Sequence, residues 1–487
     1  MAAPPSRESR LLRDFAAALG EGRPIEFLRD DLVGAGAEIP GPTGAMRMLY
    51  ADYAASGRAL RCVENFIQAE ILPFYANAHT EASYCGAFVN GVRAEARAVI
   101  GQLCGADDDC SVIFCGAGAT AGLNRVVALL GAAPDSAAER ETPIVLIGPY
   151  EHHSNLLPWR ESGAEVVEMP ESVSGGPDLD ALSNALEAAG ARRVIGAFSA
   201  VSNVTGIVTD VEAVTGLLKR YDATVIWDYA GGAPYVPMDM RAGGGVDAIA
   251  FSPHKFIGGP GASGVLVVRN AAMRNGARPS APGGGTVSFV SPWAHHYVRD
   301  LIAREEAGTP NLLGDIRAAL ALLIKARIGD AWISQREDFL VHNAIAKWSC
   351  NPSLELLGSL TVKRVPIFSF RVRDGKGGYV HHQLVTRMLS DYFGVQARGG
   401  CACAGPYAHR LLDIDRDASE ALWSRVAAGD ELDKPGWVRV NFSYLADIDE
   451  VERLIASVNA VAGRASELAQ EYECDATTAR FRHRARF

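Results

Sequence analysis

One lysine of this 487-residue chain lies in a setting that suits covalent chemistry. Residues 246–266 read VDAIAFSPHKFIGGPGASGVL, which predicts a strand running into Ser252, His254 and Lys255, then a glycine-rich turn and a second apolar strand. A lysine at a strand end, beside a hydroxyl and an imidazole, can be desolvated enough to lower its pKa and attack a carbonyl group. Lys255 is therefore a candidate Schiff-base lysine, although an ordinary surface lysine fits the same short motif.

Three further side chains follow predicted strands. Strand and helix patterns alternate from about residue 111 to residue 268, which predicts a mainly parallel sheet whose binding groups gather beyond the carboxyl ends of its strands. His152 is placed to stack on an aromatic ligand, Asn203 to donate to a phenolic oxygen, and Asp228 to pair with a protonated ring nitrogen. Each of the three, taken alone, also fits a purely structural role.

A glycine turn provides a candidate anion site. The predicted strand at 111–114 runs into Gly116, Gly118, Ala119 and Thr120, and a helix pattern follows. Free backbone N–H groups and the positive end of the helix dipole favour a phosphate there. The spacing fits neither a Walker loop nor a dinucleotide fingerprint, so nucleotide binding is not favoured, and a turn with only a structural role stays open.

Composition limits the class of protein. The chain is 48% hydrophobic with 50 glycines and a formal net charge of -10, which indicates a soluble α/β protein and argues against a nucleic-acid surface. The sequence shows neither an apolar stretch long enough for a membrane span nor a signal peptide, so no membrane role and a cytoplasmic location are expected. Nine scattered cysteines without a CxxC pair predict free thiols and no metal site.

The pattern along the chain predicts two domains and two terminal extensions. They are an N-terminal arm at 1–48, a large ligand-binding domain at 49–330, a small α+β domain at 331–472 and a solvated basic tail at 473–487. Within the small domain, residues 399–406 (GGCACAGP) predict an irregular loop that carries Cys401 and Cys403 on a flexible tip.

Eight motifs in a fixed order resemble those of the class V aminotransferases, a family of pyridoxal-phosphate enzymes. They are YADYAAS, GAT at 118–120, EHHSNLLPW, VSNVTG, WDYAGG, SPHK, EAGTPN and RGGCAC, and they span roughly residues 49–460. The resemblance is strongest to the cysteine desulfurase and selenocysteine lyase branch, while RGGCAC resembles the loop in the N-terminal domain of molybdenum-cofactor sulfurases. It implies a homodimer of the type I, aspartate aminotransferase-like fold, with a mainly parallel seven-stranded sheet in the large domain and an α+β small domain.

The resemblance also implies roles for the candidate residues. Lys255 binds pyridoxal 5'-phosphate covalently and moves a proton, Asp228 pairs with the pyridine nitrogen, His152 stacks on the ring and acts in catalysis, and Asn203 contacts the phenolic oxygen and the substrate. The residues implied to hold the phosphate are Ala119, Thr120, Ser252 and His254, with Thr309 supplied by the other subunit. Arg398 is implied to clamp the substrate carboxylate, and Cys403 is implied to be the nucleophile.

The implied reaction is the transfer of sulfur from L-cysteine to a Cys403 persulfide with release of L-alanine, followed by delivery to an acceptor protein. The same scaffold supports C–S lyases, selenocysteine lyases, aminotransferases and epimerases, and a non-catalytic sulfur carrier is a further alternative. One departure is Gly231, where many desulfurases have glutamine. Cys401 is either a second thiol for sulfur transfer or a small buried residue.

Overall fold

The computed structural model describes residues 10–19, 24–78, 80–132, 142–274, 276, 278–485 and 487. These residues form two compact units. Unit 1 takes residues from Met1–Val33, Ser56–Ala200 and Thr209–Asp330, and unit 2 takes them from Gly34–Ala55, Val201–Val208 and Ala331–Phe487. Within the described residues, every helix is too short or too polar to cross a membrane.

The helices of the described residues are numbered in chain order. They are α1 (Leu11–Ala18), α2 (Pro24–Asp30), α3 (Arg61–Phe66), α4 (Tyr84–Leu103), α5 (Gly118–Leu129), α6 (Leu157–Glu161), α7 (Leu179–Ala189), α8 (Val211–Lys219), α9 (Leu301–Glu305), α10 (Leu312–Ile328), α11 (Asp330–Trp348), α12 (His382–Phe393), α13 (Gly405–Leu411), α14 (Arg416–Ala427) and α15 (Ile448–Leu468). Several begin after an aspartate whose carboxylate accepts a hydrogen bond from the third helical N–H, which satisfies one of the unpaired donors of a helix N-terminus. These caps are Asp178, Asp210, Asp300, Asp415 and Asp447.

The strands are numbered in the same way. They are β1 (Glu38–Ile39), β2 (Met46–Arg47), β3 (Leu49–Tyr50), β4 (Cys110–Cys115), β5 (Ile144–Ile147), β6 (Glu165–Glu168), β7 (Val194–Ser199), β8 (Thr224–Asp228), β9 (Ala248–Phe251), β10 (Gly264–Arg269), β11 (Val287–Val290), β12 (His295–Tyr297), β13 (Leu354–Leu356), β14 (Ile367–Val372), β15 (Val395–Gln396), β16 (Arg398–Gly400), β17 (Trp437–Asn441), β18 (Tyr472–Asp475) and β19 (Arg480–His483).

Unit 1 is built on a seven-stranded sheet with the order β4-β10-β9-β8-β7-β5-β6. Strands β5 to β9 pair in parallel, while β10 is antiparallel to both of its neighbours. Strands β5, β7 and β9 are buried along their whole length, as expected for a sheet covered by helices on both faces. The predicted mainly parallel sheet of seven strands is confirmed.

The sequence of the predicted N-terminal arm has amphipathic runs at 11–19 and 25–32, and these runs contain α1 and most of α2, both in unit 1. The carboxylate of Glu95 on α4 accepts hydrogen bonds from the backbone N–H groups of Leu12 (3.2 Å) and Arg13 (3.4 Å). A buried acid from α4 thus caps the first turn of α1. The following segment, Gly34–Ala55, belongs to unit 2, so the segment predicted as one arm is divided between the units.

Unit 2 contains a four-stranded antiparallel sheet with the order β13-β14-β17-β16; α12 packs against this sheet and against α15. Its core is aromatic and aliphatic, and Trp348 at the end of α11 is fully buried within it. The Trp348 ring lies 5.1 Å from Phe368 and 5.7 Å from Phe442 between centroids. Helix α12 ends at Gly394 in the left-handed conformation, as its sequence predicts.

Two segments of unit 2 differ from the sequence-based predictions. The segment at 399–406 is not wholly irregular, because Gly399 and Gly400 lie in β16 and Gly405 begins α13. A Cβ atom on Gly436, the residue before β17, would lie 3.0 Å from the Gly400 backbone and 2.8 Å from His382 Cε1, so glycine at 436 permits this close approach to β16.

The predicted basic tail is also more ordered than a solvated end. Strands β18 and β19 pair as an antiparallel hairpin in which Tyr472 and Ala479 are buried while Arg480 and Arg482 are exposed. The Tyr472 hydroxyl donates to Asp391 on α12 at 3.0 Å, which ties the hairpin to unit 2. A charge-rich sequence conceals this strand pairing because its apolar residues are few.

Replacement of Trp348 by alanine should destabilise the protein by about 3–5 kcal/mol, because it removes a fully buried indole from an aromatic cluster. The measurement is the free energy of unfolding in denaturant. Trp423→Ala on α14 is the control, since that side chain is 71% exposed, and it should change stability by less than about 0.5 kcal/mol. Equal losses in the two variants would contradict this description of the core.

Candidate active site

The predicted cofactor residues of unit 1 lie beyond the carboxyl ends of neighbouring strands. His152 follows β5, Asp228 is the last residue of β8, and Lys255 ends a short 3-10 turn after β9. Because β8 and β9 pair in parallel, Asp228 and the lysine turn lie at the same edge of the sheet.

Glycines hold the turn that carries Lys255. A Cβ atom on Gly57 would lie 1.8 Å from the Phe256 carbonyl oxygen, and one on Gly259 would lie 1.9 Å from that of Pro253. The Gly57 N–H donates to the His254 carbonyl at 2.9 Å. Only glycine permits these close backbone contacts. The position of Lys255 therefore depends on glycine at positions 57 and 259.

Asp228 is a buried acid with 3% of its surface exposed. Burial raises the pKa of its carboxyl group, while the Ala230 N–H (2.8 Å) and the charge of Lys255 act in the opposite direction. A buried carboxylate is stabilised by a cationic partner, and a protonated ring nitrogen would be such a partner. The surroundings of Asp228 therefore fit the predicted role.

The predicted phosphate residues meet at the N-terminus of α5. The Ala119 N–H donates to the Ser252 hydroxyl at 2.8 Å. A Cβ atom on Gly118, whose φ is +60°, would lie 2.8 Å from Ser252 Oγ and 2.9 Å from His254 Cε1. These residues bring a hydroxyl, an imidazole and the positive end of a twelve-residue helix together, which is the donor set that a phosphate group requires.

A hydroxyl chain links the phosphate residues to His152. Ser154 Oγ lies 2.7 Å from Thr120 Oγ1 and 3.0 Å from His152 Nδ1, and the Ser154 N–H donates to the same ring nitrogen at 3.1 Å. The backbone donor makes Nδ1 the acceptor nitrogen of His152. Ser154, which the sequence analysis did not single out, thus orients a predicted stacking residue.

Glu151 is a second residue that the sequence analysis missed, although it precedes His152 directly. Its buried carboxylate accepts hydrogen bonds from the Ser199 N–H (2.8 Å), the Ser199 hydroxyl (2.7 Å) and the Asn155 amide (2.5 Å). Burial raises the pKa of this carboxyl group to about 7 despite these donors. Glu151 ties the end of β7 to the segment that carries His152.

In unit 2, one carboxylate joins two arginines. Asp52 Oδ2 accepts from Arg398 Nε at 3.0 Å, and Asp52 Oδ1 accepts from a terminal guanidinium nitrogen of Arg439 at 3.0 Å. Arg398 and Arg439 are cross-strand partners on β16 and β17. The Arg398 side chain is 52% exposed and that of Arg439 is 5% exposed. The sequence analysis named Arg398 alone, although an arginine within the apolar strand Trp437–Asn441 marks Arg439 as unusual.

Arg439 also leads to the cysteine segment. Its other terminal nitrogen donates to the Asn203 carbonyl at 3.0 Å, and the Asn203 side-chain amide donates to the Ala402 carbonyl at 2.7 Å. The side-chain oxygen of Asn203 is buried and has no hydrogen-bond partner among the described residues. The Asn203 amide group therefore binds the backbone of the cysteine segment, while its side-chain oxygen accepts no hydrogen bond from the described residues. The predicted contact of Asn203 with a phenolic oxygen stays a prediction.

Cys403 lies in a strained turn. Ala402 and Cys403 have φ angles of +53° and +56°, and the Ala404 N–H bonds to the Cys401 carbonyl at 3.3 Å. Two successive left-handed residues define a type I′ turn, which normally uses glycine or asparagine and costs other residues about 1 kcal/mol each or more. Such strain is found at functional sites, where neighbouring contacts hold the backbone in place.

Exposure separates Cys403 from the buried thiols. All nine cysteines lie in the described part of the chain and are free thiols, as predicted. Burial raises the pKa of Cys104 to about 12 and that of Cys115 to about 11, which suppresses their thiolate forms. Cys403 is exposed and Cys401 is partly buried.

The remaining predicted residue is Thr309, which is exposed in the loop between α9 and α10. The resemblance assigns it to the site of the other subunit, so its role stays a prediction.

The chain belongs to the aminotransferase class-V family, whose profile matches residues 49–454. It is 28% identical over 416 residues to a probable cysteine desulfurase from Vibrio cholerae, covering 85% of this chain and 93% of that protein. It is 26% identical over 445 residues to a cysteine desulfurase from Klebsiella pneumoniae, covering 90% of this chain and 98% of that protein.

Solved structures show the same architecture. The apo cysteine desulfurase of Thermococcus onnurineus NA1 matches with a TM-score of 0.69 and 25% identity, covering 87% of this chain and 95% of that one. The cysteine desulfurase CsdA of Escherichia coli matches with a TM-score of 0.69 and 24% identity, covering 91% and 98%. The predicted class V resemblance and the aspartate aminotransferase-like α/β fold class are confirmed.

Replacement of Glu151 by glutamine should flatten the pH dependence of stability. The pKa of Glu151 is raised on folding, so its favourable contribution is complete below the unfolded pKa near 4.5 and is lost as pH rises through about 7. Between these limits the wild type should lose up to about 3 kcal/mol relative to Glu151→Gln.

The measurement is the free energy of unfolding from pH 4 to pH 8. The same substitution at the exposed Glu81 is the control and should keep the wild-type profile. Parallel profiles for Glu151→Gln and the wild type would show that this carboxyl group does not titrate in the folded protein as described.

Proposed function

We propose that this chain is a pyridoxal-phosphate-dependent cysteine desulfurase, which moves sulfur from L-cysteine to a persulfide on Cys403 and releases L-alanine. The observation that carries the proposal is the exposed Cys403 thiol in a left-handed turn whose Ala402 carbonyl is held by Asn203. The relatives from Vibrio cholerae and Klebsiella pneumoniae, named for this activity, support the proposal because each aligns over 85% or more of the chain.

The residues of unit 1 would hold the cofactor. Asp228 would pair with its ring nitrogen, His152 would stack on the ring, and Lys255 would bind it covalently, while Ala119, Thr120, Ser252 and His254 would hold its phosphate. Bound pyridoxal phosphate supplies an acceptor for the electrons released at the substrate α-carbon. Lys255 itself moves the proton at that carbon, and the buried Asp228 keeps a positive charge on the ring side.

The substrate carboxylate would bind to the guanidinium groups of unit 2. Asp52 occupies Nε of Arg398, which leaves the two terminal nitrogens of this half-exposed side chain for a bidentate carboxylate contact. Asp52 fixes the orientation of Arg398 and is in turn fixed by Arg439. Asp52 is therefore a positioning residue for the proposed clamp.

Sulfur transfer would use the Cys403 thiolate. It attacks the sulfur of L-cysteine, so that an S–S bond forms as the Cβ–S bond breaks, and the three-carbon product takes up protons and leaves as alanine. The electron pair of the broken bond stays with the carbon fragment. No outside oxidant is needed for this step.

Three further features belong to the proposal. We propose that the chain acts as a homodimer to which each subunit contributes Thr309, that it passes its sulfur to an acceptor, and that it works in the cytoplasm. The ground for each of these is the resemblance to the class V family, whose profile matches residues 49–454.

Replacement of Lys255 by alanine should abolish covalent attachment of the cofactor, because Lys255 is the only lysine in the turn Pro253–Lys255 after β9. The measurement is reduction of the pyridoxal-phosphate-loaded protein with borohydride, followed by denaturation and peptide mass spectrometry. The wild type should carry the pyridoxyl group on the Lys255 peptide. Lys347→Ala, at an exposed lysine, should behave as the wild type. A modified lysine elsewhere would refute the assignment.

Replacement of Cys403 by serine should lower alanine formation from L-cysteine by about two orders of magnitude or more, because the nucleophile is removed. Alanine, sulfide and pyruvate are measured together in the presence of reductant, with Cys350→Ser as an exposed-thiol control that should keep full activity. Pyruvate from the wild type and from Cys403→Ser alike would indicate an eliminating lyase. Absence of any product from the loaded wild type would refute the desulfurase proposal.

A further inference from the structure

A cavity of about 790 Å³ lies within unit 2, and its lining includes Gly400 and Cys401 but neither Arg398 nor Arg439. Its walls are formed by the first turns of α12, the segment at 431–435 and the C-terminal hairpin of β18 and β19. Small-molecule sites usually measure about 300–1,000 Å³, so the cavity has the size of a ligand site. Cys401 lines it, whereas Cys403 does not.

The lining carries an excess of positive charge. Arg387, Lys434, Arg480 and Arg482 contribute four cations, and Glu431 contributes one carboxylate. Lys434 pairs with Glu431 at 2.6 Å, and Arg387 pairs through Nε with Asp391 at 2.7 Å. Within the described part of the chain, no ion pair or hydrogen bond involves the guanidinium groups of Arg480 and Arg482. These two arginines are therefore available to an anion.

The two histidines of the lining do not add to this charge. His381 and His382 stack with ring centroids 4.3 Å apart. Burial lowers the pKa of both, and that of His382 falls to about 4, so both rings are neutral near pH 7. The positive character of the cavity comes from arginine and lysine and persists across the physiological range.

The structure assigns this cavity to a small thiol with two or more carboxylates, which takes up sulfur from Cys401. The arginines recognise the carboxylates, and the partly buried Cys401 presents its sulfur to the ligand thiol. This inference rests on the proposed function, because the persulfide must first form on Cys403. The type I′ turn places the two cysteines at its first and third positions, one residue apart on either side of Ala402.

Both transfers balance as thiol–persulfide exchanges. The Cys401 thiolate attacks the terminal sulfur of the Cys403 persulfide; a bond to Cys401 Sγ forms, the bond to Cys403 Sγ breaks, and its electron pair remains on the Cys403 thiolate. The ligand thiolate then attacks the terminal sulfur on Cys401 in the same way and leaves as a persulfide. Each attacking thiol gives its proton to solvent, and neither step consumes an oxidant.

The first test measures binding without turnover. The full-length protein is alkylated with iodoacetamide, and the labelling rates of Cys401, Cys403 and Cys350 are followed by peptide mass spectrometry. Succinate should slow the labelling of Cys401 at least threefold and leave that of Cys350 unchanged. The double variant Arg480→Gln, Arg482→Gln should lose this protection, whereas Arg484→Gln, a control in the same segment but outside the lining, should keep it.

The second test measures transfer with mercaptosuccinate and with the neutral 2-mercaptoethanol as acceptors. The double variant should raise KM for mercaptosuccinate about tenfold, as expected for a lost charge-assisted contact, and change that for 2-mercaptoethanol less than twofold. Cys401→Ser should lower the yield of mercaptosuccinate persulfide per alanine formed.

The outcomes separate the two proposals. Normal alanine formation with no succinate protection, or with equal KM changes for both thiols, would overturn the cavity assignment alone. Protection of Cys401 by a hexaglutamate peptide but not by succinate would overturn the small ligand in favour of an acidic protein segment. Protection by succinate in a protein that forms no alanine would leave an anion site and refute the desulfurase.

Discussion

The carboxylate of Asp52 forms ion pairs with two guanidinium groups that the sheet of unit 2 places next to each other. Strands β16 and β17 place Arg398 and Arg439 directly opposite each other, where like charges repel. The segment that contains β3 supplies the compensating negative charge. Strand β3 pairs with β15, and the Asn441 N–H donates to the Ala51 carbonyl at 2.9 Å, which places Asp52 beside the two arginines. The same ion pairs orient the proposed clamp and, through Asn203, the backbone of the cysteine turn.

In unit 1, the site residues depend instead on the close approach of chain segments at glycine positions. Gly57 and Gly259 permit the contacts that hold the Lys255 turn, and Gly118 allows Ser252 and His254 to approach the start of α5. A Cβ atom at Gly57 or Gly259 would displace the backbone next to Lys255, and one at Gly118 would displace the Ser252 and His254 side chains. The positions of the proposed cofactor residues thus depend on glycines at close contacts, while the position of the proposed substrate residue Arg398 depends on its ion pair with Asp52.

The sequence predicted the strands of unit 1 well, because β5, β7 and β9 are short apolar runs that are buried along their whole length. The apolar pattern predicts strands at 144–147 and 165–168 and a helix at 312–328, and these are the bounds of β5, β6 and α10. The ion pair of Asp52 and Arg439 could not be predicted, since it joins residues 387 positions apart. Glu151 escaped notice because local periodicity does not show which acid is buried. The β18–β19 hairpin was missed since its strands are mostly polar, and the left-handed turn at Ala402 and Cys403 was missed since neither residue favours that backbone.

The division of the chain between the units restricts how one unit could be exchanged by recombination. The chain passes from unit 1 to unit 2 at Val33, Ala200 and Asp330 and returns at Ala55 and Val208, so neither unit is a continuous stretch of sequence. A gene fragment that encodes residues 331–487 would lack β3 and Asp52, and would leave Arg439 buried without its carboxylate. Exchange of the small unit between relatives therefore requires the simultaneous replacement of three segments, with five junctions. The proposed cofactor residues of unit 1 and the proposed substrate residues of unit 2 are therefore expected to have been inherited together.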